Sequence, residues 1–340
     1  TTKRGRLERA RRNDGTSQPN NGSTPHRQCP LQTNPLGGAI SREATLQAVK
    51  ERKRRVRRVC DKYGNGVVDA GGALRDADVL LRYVNNVYVN DELRLLYCSI
   101  PKIGSTNWKR VLLALRSNAA VDPASIDKEL AHKRSNVTTL SKLGSAARRR
   151  RLKHYYKFMF IRDPYERLLS AYMDKFGQPN PYFQKTYGKT IIRRYRHNAT
   201  RAALVSGRNV TFVEFLTYLS RPTSFHDDPE IRAIYRHSGH NRHWARYMDL
   251  CNPCSVDYDF IGDYANIEAE AQIVLEESGL AGVVEYPTRS GTNYSRPRTS
   301  QLVANMYASV PDALLRVIEQ IYAIDFELFG FDFMRSRKKQ

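Results

Sequence analysis

Several features that would assign a chain to a class are missing from this one. The 340 residues contain no run approaching the roughly 18 apolar residues of a membrane-spanning helix, and no signal peptide is visible at Thr1. No internal repeat is evident, and 41% of the residues are hydrophobic. A chain of this length and composition is expected to bury a substantial core in one large domain rather than in two equal ones.

Cysteine is also scarce, with five residues in all. Cys29 lies in the N-terminal stretch, and Cys60, Cys98, Cys251 and Cys254 leave three possible disulfide pairings that the sequence does not rank. A redox or half-zinc motif at Cys251 and Cys254 is disfavoured because no second pair accompanies it. No other cluster of His, Cys and Asp has the spacing of a closed zinc site, so we predict no metal.

Acidic residues are too few to balance the basic ones, since 34 Asp and Glu face 56 Lys and Arg, a formal net charge of +22. This excess favours an anionic polymer as partner, although its sign alone does not separate a glycan from nucleic acid or anionic lipid. Residues 1–58 carry 15 basic and 4 acidic residues. In the remaining body the densest basic runs are Arg148–Arg151 and Arg193, Arg194 and Arg196.

The Walker P-loop signature G-x-x-x-x-G-K-[ST] is absent as well. In its place stand two other phrases, IPKIGSTNW at 100–108 and IRDPYERLLS at 161–170. Each follows a short apolar, strand-like run, Leu93–Ile100 or Lys157–Ile161, and opens an amphipathic, helix-like run. Strand, turn and helix repeated in this way predict an α/β fold with a parallel sheet.

Both turns are suited to anion binding, because a cation and several backbone N–H groups meet at a helix N-terminus. Two such turns suggest a ligand with two separated phosphates. Lys102 lies two residues before Gly104 rather than after it, which weakens the interpretation as an ordinary ATPase. The same position suits Lys102 to neutralise charge on a bridging oxygen during group transfer.

The remaining patterns predict the scaffold. Ser105 or Thr106 is expected to cap the first of these helices, and Asp163 the second. The other predicted elements are a basic helix over Ser41–Tyr63 that ends at a break in Gly64–Gly72, a strand over Asp257–Gly262, a helix over Ile267–Leu280 and a helical region over Ala304–Phe326 interrupted near Pro311.

The paired phrases resemble the two cofactor-binding elements of sulfotransferases that use 3'-phosphoadenosine 5'-phosphosulfate. The amino-acid sequence is similar to those of the Golgi carbohydrate sulfotransferases of the HNK-1 group. It is most similar to those of the chondroitin and dermatan 4-O-sulfotransferases, which sulfate N-acetylgalactosamine. The resemblance covers most of 42–331, and is carried by YCSIPKIGSTNWKRVLLAL, HYYKFMFIRDPYERLLSAYMDKFG, IIRRYR, HWARYMDLCNPCSVDYDFIGDY and, weakly, YSRP. It implies a P-loop-NTPase-like parallel sheet flanked by helices.

The resemblance also implies roles for individual residues. The 5'-phosphosulfate would be held by the first phrase, with Lys102 as the catalytic cation, through Lys102, Ile103, Gly104, Ser105, Thr106 and Asn107. Arg162 and Ser170 would hold the 3'-phosphate. This chain has Ser105 where the family often has cysteine and Asp163 where it often has glutamate, and neither change removes a phosphate ligand. The cofactor would be 3'-phosphoadenosine 5'-phosphosulfate, without a metal.

The implied reaction is in-line transfer of a sulfuryl group to a sugar hydroxyl, which needs a base for the hydroxyl proton. His132 is the predicted base, because family members carry a histidine between the two cofactor motifs. His154, His243 and an acidic residue remain open as alternatives. The acceptor would be an anionic glycosaminoglycan rather than nucleic acid, bound by candidates Arg193, Arg194, Arg196, His243 and Arg296.

The N-terminal region differs from the rest of the chain in composition. Residues 1–40 are rich in Thr, Asn, Gly, Pro, Ser and Arg with almost no apolar periodicity, which predicts a disordered basic stem before a single catalytic domain at 41–340. The family suggests a Golgi membrane protein of type II topology with a lumenal catalytic domain, and we expect its N-terminal anchor to have been trimmed from this chain. A lumenal location fits the sequons at Asn21, Asn136, Asn198, Asn209 and Asn293.

Two functions from other classes compete with a sulfotransferase. A kinase would share phosphate-binding turns but should carry a Walker lysine and acids for magnesium, which we do not find. A non-catalytic heparin-like binding protein would explain the charge but not the two anion-binding turns. Within the sulfotransferases, a terminal N-acetylgalactosamine on N-glycans and the 3-OH of glucuronic acid remain alternative acceptors.

Overall fold

The computed structural model describes residues 41–63, 86–117, 120–133, 138–221, 241–288 and 298–334. Several predictions fall outside these residues and are not taken further, namely those on the stem at 1–40, Cys29, Gly64–Gly72, Arg296 and the sequons at Asn21, Asn136 and Asn293. None of the helices within the described ranges is both long and apolar enough to cross a membrane.

A five-stranded sheet with the order β3-β1-β2-β4-β5 forms the centre of the molecule. Its strands are β1 (Val87–Asn90), β2 (Leu95–Cys98), β3 (Thr138–Thr139), β4 (Tyr156–Ile161) and β5 (Phe260–Asp263). The strands β2, β4 and β5 run parallel, which confirms the predicted α/β class. The antiparallel pairing of β1 with β2 and β3 was not expected, and for β2 it follows from the short turn at 91–94.

The predicted basic helix is confirmed as α1 (Arg42–Lys62), which begins where the Ser41 hydroxyl accepts a hydrogen bond from the Ala44 N–H. Arg52 holds α1 against the sheet, because its guanidinium donates to the Ile261 carbonyl oxygen of β5 at 2.7 Å and to both oxygens of Glu270 at 2.7 and 2.8 Å. A buried, bidentate pair of this kind fixes geometry better than an exposed one.

Both predicted strand-to-helix turns are present, from β2 into α2 (Ser105–Arg116) and from β4 into α5 (Pro164–Lys175). Asp163 caps α5 as expected, since its carboxylate accepts from the N–H groups of Tyr165 and Glu166 at 2.8 and 3.2 Å. The predicted cap of α2 was wrong. Gly104 takes that position in a left-handed conformation without a side-chain bond, and Ser105 and Thr106 lie inside the helix.

The remaining helices pack around this sheet and against one another. The segment Gln184–Gly188 is π-helical, and one-turn 3₁₀ helices lie at Pro123–Ser125, Leu140–Lys142 and Tyr264–Asn266. The α-helices are α3 (Lys128–His132), α4 (Ser145–His154), α6 (Pro181–Phe183), α7 (Lys189–Tyr195), α8 (Arg201–Ser206), α9 (Phe212–Leu219), α10 (Tyr247–Cys251), α11 (Ile267–Glu277), α12 (Thr299–Ala308), α13 (Asp312–Ile321) and α14 (Ala323–Phe329). The predicted interruption near Pro311 is confirmed, because this residue separates α12 from α13.

The apolar residues form two clusters, one around the sheet and one among α5 and helices that follow it. Trp244 lies in the helical cluster with 0% of its surface exposed. Its ring contacts those of Phe183, Tyr187 and Phe215 at centroid distances of 6.0, 5.3 and 5.4 Å. Trp244 is therefore a core residue and does not form a sugar-stacking surface.

Two disulfides connect distant parts of the chain. Cys60 in the last turn of α1 is bonded to Cys254, and Cys98 at the end of β2 is bonded to Cys251 in α10. The two cysteines of the C-x-x-C motif therefore have separate partners. This pairing excludes the redox and half-zinc interpretations, and it joins the sheet to the segment that precedes β5.

Candidate active site

The two turns predicted to bind anions meet at the edge of the sheet where the parallel strands end. The guanidinium of Arg162, which follows β4, donates from Nη1 to the carbonyl oxygen of Lys102 at 2.9 Å. Lys102 follows β2, which pairs directly with β4. In open α/β sheets ligands bind at the carboxyl ends of the strands, so this edge is the candidate site.

The first turn has a backbone that few residues other than glycine tolerate. Lys102 and Gly104 both have positive φ, 75° and 76°. A Cβ on Gly104 would lie 2.4 Å from Cδ1 of Ile267 and 2.5 Å from the hydroxyl of Tyr286. The absent side chain therefore lets the turn pack against Ile267 and Tyr286. The turn leads into the N-terminus of α2, which suits anion binding.

Asn107 and Tyr286 hold this turn from the other side. The Asn107 amide donates to the Pro287 carbonyl oxygen at 2.9 Å, and the Tyr286 hydroxyl donates to the Gly104 carbonyl oxygen at 3.3 Å. In this structure Asn107 therefore supports the turn through the segment at 286–287, whereas the resemblance gives it direct contact with the cofactor.

Arg162 is buried, and its guanidinium has neighbours on several sides. It donates from Nε to Glu166 at 3.1 Å, and its guanidinium carbon lies 4.4 Å from the ring centre of Tyr264. The local pair with Glu166 and the bond to Lys102 thus coexist. Ser170 lies two turns further along α5, half-buried, and at helical spacing it shares a face with Arg167 and Asp174.

Two lysines converge on one carboxylate at the end of α5. The ammonium groups of Lys102 and Lys175 each lie 3.0 Å from Oδ2 of Asp174. Burial lowers the pKa of Lys102 from its ordinary value of 10.5 to about 8, with Asp174 opposing the shift. Burial alone would raise the pKa of Asp174, but the charges of Lys102 and Lys175 outweigh it and hold that pKa well below its usual range.

His132 lies beside the first turn, and both of its ring nitrogens have partners. Nε2 is 3.1 Å from the Thr106 hydroxyl, and Nδ1 is 3.0 Å from the ammonium of Lys109. Burial, followed by the charge of Lys109, lowers the pKa of His132 to about 4. Its imidazole is therefore neutral at pH 7, and in this arrangement Nδ1 accepts from Lys109 while the proton lies on Nε2.

The two alternative histidines differ in position. His243 is close enough to Lys175 and Lys102 for their charges, after burial, to lower its pKa, and its Nδ1 lies 2.7 Å from Oδ1 of Asn241. His154 is exposed at the end of α4, just before β4 begins. A six-residue strand, about 20 Å long, separates that end of β4 from Arg162, which removes His154 as a candidate base.

The three arginines predicted to bind the acceptor lie at the end of α7 and directly after it. Arg196 donates from Nε and Nη2 to the two carboxylate oxygens of Glu214, each at 2.7 Å, and from Nη2 to the Asn209 carbonyl oxygen at 2.6 Å. Arg193 and Arg194 are exposed on α7. The guanidinium of Arg196 is thus occupied by Glu214, and acceptor binding by these arginines stays a prediction.

Several residues of the site were not singled out from the sequence. Asp174, Lys175 and Arg167 all lie within the phrase that carries the resemblance, and helical spacing from Ser170 was the signal that could have found the first of them. Lys109 and Arg242 contribute further positive charge around His132. Arg242 also donates to the Ser99 carbonyl oxygen at 3.4 Å, next to the end of β2.

The site has the chemistry that a nucleotide with separated phosphates requires. It combines cations from two turns with a helix N-terminus, so its residues fit 3'-phosphoadenosine 5'-phosphosulfate. Among the described residues, no three His, Cys, Asp or Glu side chains are arranged to hold a metal ion. The prediction of a metal-free reaction stays a prediction.

Comparison with known proteins bears directly on this site. The chain is 40% identical over 248 residues to carbohydrate sulfotransferase 14 of Danio rerio, covering 73% of this chain and 62% of that protein. It is 34% identical over 250 residues to carbohydrate sulfotransferase 11 of Mus musculus, covering 73% and 67%. Over 318 residues it is 34% identical to carbohydrate sulfotransferase 8 of Mus musculus, covering 93% and 70%.

No solved structure matches the chain significantly. A family model, in contrast, matches residues 85–332, which include both anion-binding turns, His132 and the Asp174 and Lys175 pair. Its description is that of the sulfotransferase family. The match covers well over half of the chain, and the chain therefore belongs to the sulfotransferase family.

Proposed function

We propose that this protein is a carbohydrate sulfotransferase that moves a sulfuryl group from 3'-phosphoadenosine 5'-phosphosulfate to a glycosaminoglycan hydroxyl. The observation that carries the proposal is the contact between the two turns, in which Arg162 donates to the Lys102 carbonyl oxygen at 2.9 Å. This contact brings two cationic turns close enough to hold opposite ends of one doubly phosphorylated nucleotide. The names of the relatives support a carbohydrate acceptor.

The two turns bind different ends of the nucleotide. Arg162, which lies between β4 and α5, and Ser170 on α5 bind the 3'-phosphate, whose presence distinguishes this nucleotide from ATP. Gly104, Ser105 and Thr106 present the N-terminus of α2 to the 5'-phosphate. The bound nucleotide supplies the activated sulfuryl group, and the protein supplies position and charge.

Lys102 has the principal role in the transfer itself. Its ammonium neutralises the negative charge that develops on the phosphate oxygen as the bond between that oxygen and sulfur breaks. A lysine with a pKa of about 8 is still charged at pH 7. Because this charge is most useful in the transition state, Lys102 contributes more to turnover than to binding of the acceptor.

In this proposal His132 is the base that deprotonates the acceptor hydroxyl. The imidazole is neutral at pH 7, as a base must be, but Lys109 occupies Nδ1 and Thr106 lies at Nε2. Because the ring proton lies on Nε2, His132 has to release Lys109 from Nδ1 before it can accept a proton. Bound anionic substrates favour that exchange, because they attract Lys109 and raise the pKa of the ring.

We further propose the 4-OH of N-acetylgalactosamine in chondroitin or dermatan as the acceptor, and the Golgi lumen as the location. The net charge of +22 supports a polyanionic acceptor. Two disulfides support an oxidising compartment, and the sequons at Asn198 and Asn209 are both exposed. The N-terminal membrane anchor expected for a type II protein remains a prediction.

Isothermal titration with adenosine 3',5'-bisphosphate tests nucleotide binding. We expect saturable binding by the wild type that falls about 10- to 100-fold in Arg162→Ala, since this change removes a charged hydrogen bond to phosphate. The matched control is Arg150→Ala, on the exposed side of α4. Equal affinity of Arg162→Ala and wild type, or a preference for ATP with magnesium, would contradict the proposal.

The acceptor is tested by incorporation of labelled sulfate into a panel of desulfated glycans, followed by disaccharide analysis. We expect product in chondroitin and dermatan at the 4-OH of N-acetylgalactosamine. Exclusive labelling of glucuronic acid or of terminal N-acetylgalactosamine on N-glycans would leave the reaction type intact but overturn the acceptor. Binding of glycans without any sulfate transfer would favour a non-catalytic polyanion-binding protein.

A further inference from the structure

One oxygen atom lies between two buried ammonium groups at the candidate site. Oδ2 of Asp174 is 3.0 Å from Nζ of Lys102 and 3.0 Å from Nζ of Lys175. The two lysine side chains are only 16% and 14% exposed. They come from different elements, because Lys102 follows β2 whereas Lys175 ends α5.

Two like charges placed this close are costly unless an anion lies between them. The position of Oδ2 therefore marks a point at which an anionic oxygen is stabilised by both lysines at once. Lys175 is also held in place by Phe183, whose ring centre lies 4.7 Å from the ammonium. The geometry thus provides an anion-binding position that includes Lys102, the residue assigned to the leaving phosphate.

We propose that Lys175 is a further catalytic residue, which binds a non-bridging oxygen of the sulfuryl group while Lys102 binds the bridging oxygen. This inference rests on the proposed function. In the unliganded protein the Asp174 carboxylate takes the place of that sulfuryl oxygen and moves away when the sulfuryl donor binds. Lys175 thereby stabilises the group that is transferred rather than the nucleotide that remains.

The step balances as an in-line displacement. The acceptor oxygen forms a bond to sulfur while the bond from sulfur to the bridging oxygen breaks, and the electron pair of that bond stays on the phosphate. The hydroxyl proton passes to the base. Lys175 neither gains nor loses a proton, and its charge offsets the negative charge on the sulfuryl oxygens throughout.

A purely structural role for Lys175, in which it only neutralises Asp174, makes a different prediction. Adenosine 3',5'-bisphosphate and 3'-phosphoadenosine 5'-phosphosulfate differ by the sulfuryl group alone. A residue that contacts this group affects binding of the second molecule and leaves binding of the first nearly unchanged. A residue that merely supports the fold affects both to the same extent.

The test measures both dissociation constants by isothermal titration, in the absence of acceptor, for wild type, Lys175→Ala and Lys175→Arg. We expect Lys175→Ala to weaken binding of the sulfated nucleotide about 10-fold or more, as expected for loss of a charged hydrogen bond, with little change for the bisphosphate. Lys175→Arg should restore part of the loss. Lys153 is exposed on α4, and Lys153→Ala is the matched control, which should change neither dissociation constant.

Asp174→Asn provides a second measurement that does not depend on the Lys175 variants. It removes the competing negative charge, so the sulfated nucleotide should bind more tightly while the bisphosphate changes less. Parallel changes for the two nucleotides in Lys175→Ala, or no change in either, would overturn the role of Lys175. If the wild type binds neither nucleotide, the proposed function itself is wrong. This result is distinguishable from failure of the Lys175 proposal alone, in which the wild type still binds both nucleotides.

Discussion

Arg167 donates a hydrogen bond from Nε to the carbonyl oxygen of Pro101 at 3.3 Å, although its side chain is almost completely buried at 1% exposure. Its two other nitrogens donate to the carbonyl oxygens of Ala245 and Arg242 at 2.7 and 3.2 Å. The guanidinium also lies 4.9 Å from the ring centre of Tyr247. One side chain of α5 thus connects the turn that carries Lys102 to the segment that carries His243.

Replacement of Arg167 tests this connection. Lysine keeps the charge but not the planar fork, so Arg167→Lys should leave at least one buried carbonyl oxygen unpaired and destabilise the protein by roughly 2–4 kcal/mol. Turnover should fall as well, because the Lys102 turn is less well positioned. Urea denaturation and steady-state kinetics measure the two effects. Arg150→Lys is the exposed control, and an Arg167→Lys protein of unchanged stability would contradict the role.

Gly104→Ala tests the need for a left-handed, side-chain-free residue in the first turn. The added Cβ would lie 2.4 Å from Ile267 and 2.5 Å from the Tyr286 hydroxyl, in addition to the strain of φ 76°. We expect binding of adenosine 3',5'-bisphosphate to weaken about 10-fold or more, because the helix N-terminus shifts. Gly144→Ala is the matched control, since nothing lies within 4 Å of its Cβ position and its φ of −67° is ordinary.

The pKa of Lys102 predicts how activity depends on pH. Burial lowers this pKa to about 8, so the ammonium loses its proton as pH rises through about 8 in the free enzyme. The value of kcat/KM should therefore fall on the alkaline side with a midpoint near pH 8. In Lys102→Arg, whatever activity remains should not show this fall, because guanidinium keeps its charge. The same alkaline midpoint in both proteins would assign the titration to another group.

His132 and Lys109 together allow a test of the base. If His132 accepts the hydroxyl proton, His132→Ala should reduce kcat by about 10²- to 10⁴-fold. In Lys109→Met the neighbouring charge is gone, so the pKa of His132 should rise from about 4 and the acid limb of the pH profile should move upward. A near-normal rate in His132→Ala would move the base elsewhere, with His243 as the next candidate.

The bridge between Cys60 and Cys254 predicts a stability effect that is separate from chemistry. Replacing both cysteines by serine frees the last turn of α1 from the segment before β5 and should lower stability by about 2–5 kcal/mol. Thermal unfolding measures the change. Binding of adenosine 3',5'-bisphosphate should be retained, because neither cysteine lies at the carboxyl ends of the strands. Cys29→Ser leaves both bridges intact and serves as the control.

The local order of strand, turn and helix could be predicted from the sequence alone. Apolar runs, the Asp163 cap and the interruption at Pro311 depend on residues within one or two turns of one another, and each was found where it was expected. Resemblance to the motifs of a known family added the candidate cofactor-binding residues. The need for glycine at the cap of α2 was missed because the groups that exclude a Cβ there, Ile267 and Tyr286, are distant in sequence.

Contacts between distant residues required the folded chain. Three disulfide pairings were open until the sheet order placed Cys98 beside Cys251 and α1 beside Cys254. Likewise, no spacing rule brings Lys102 to Asp174 or His132 to Lys109. The sequence determined two strand-turn-helix units, because short-range periodicity is a local property, and their resemblance to a known family related them to sulfotransferases. Only the tertiary structure decided which charges face one another, because that depends on which strands pair and how α5 packs across their ends.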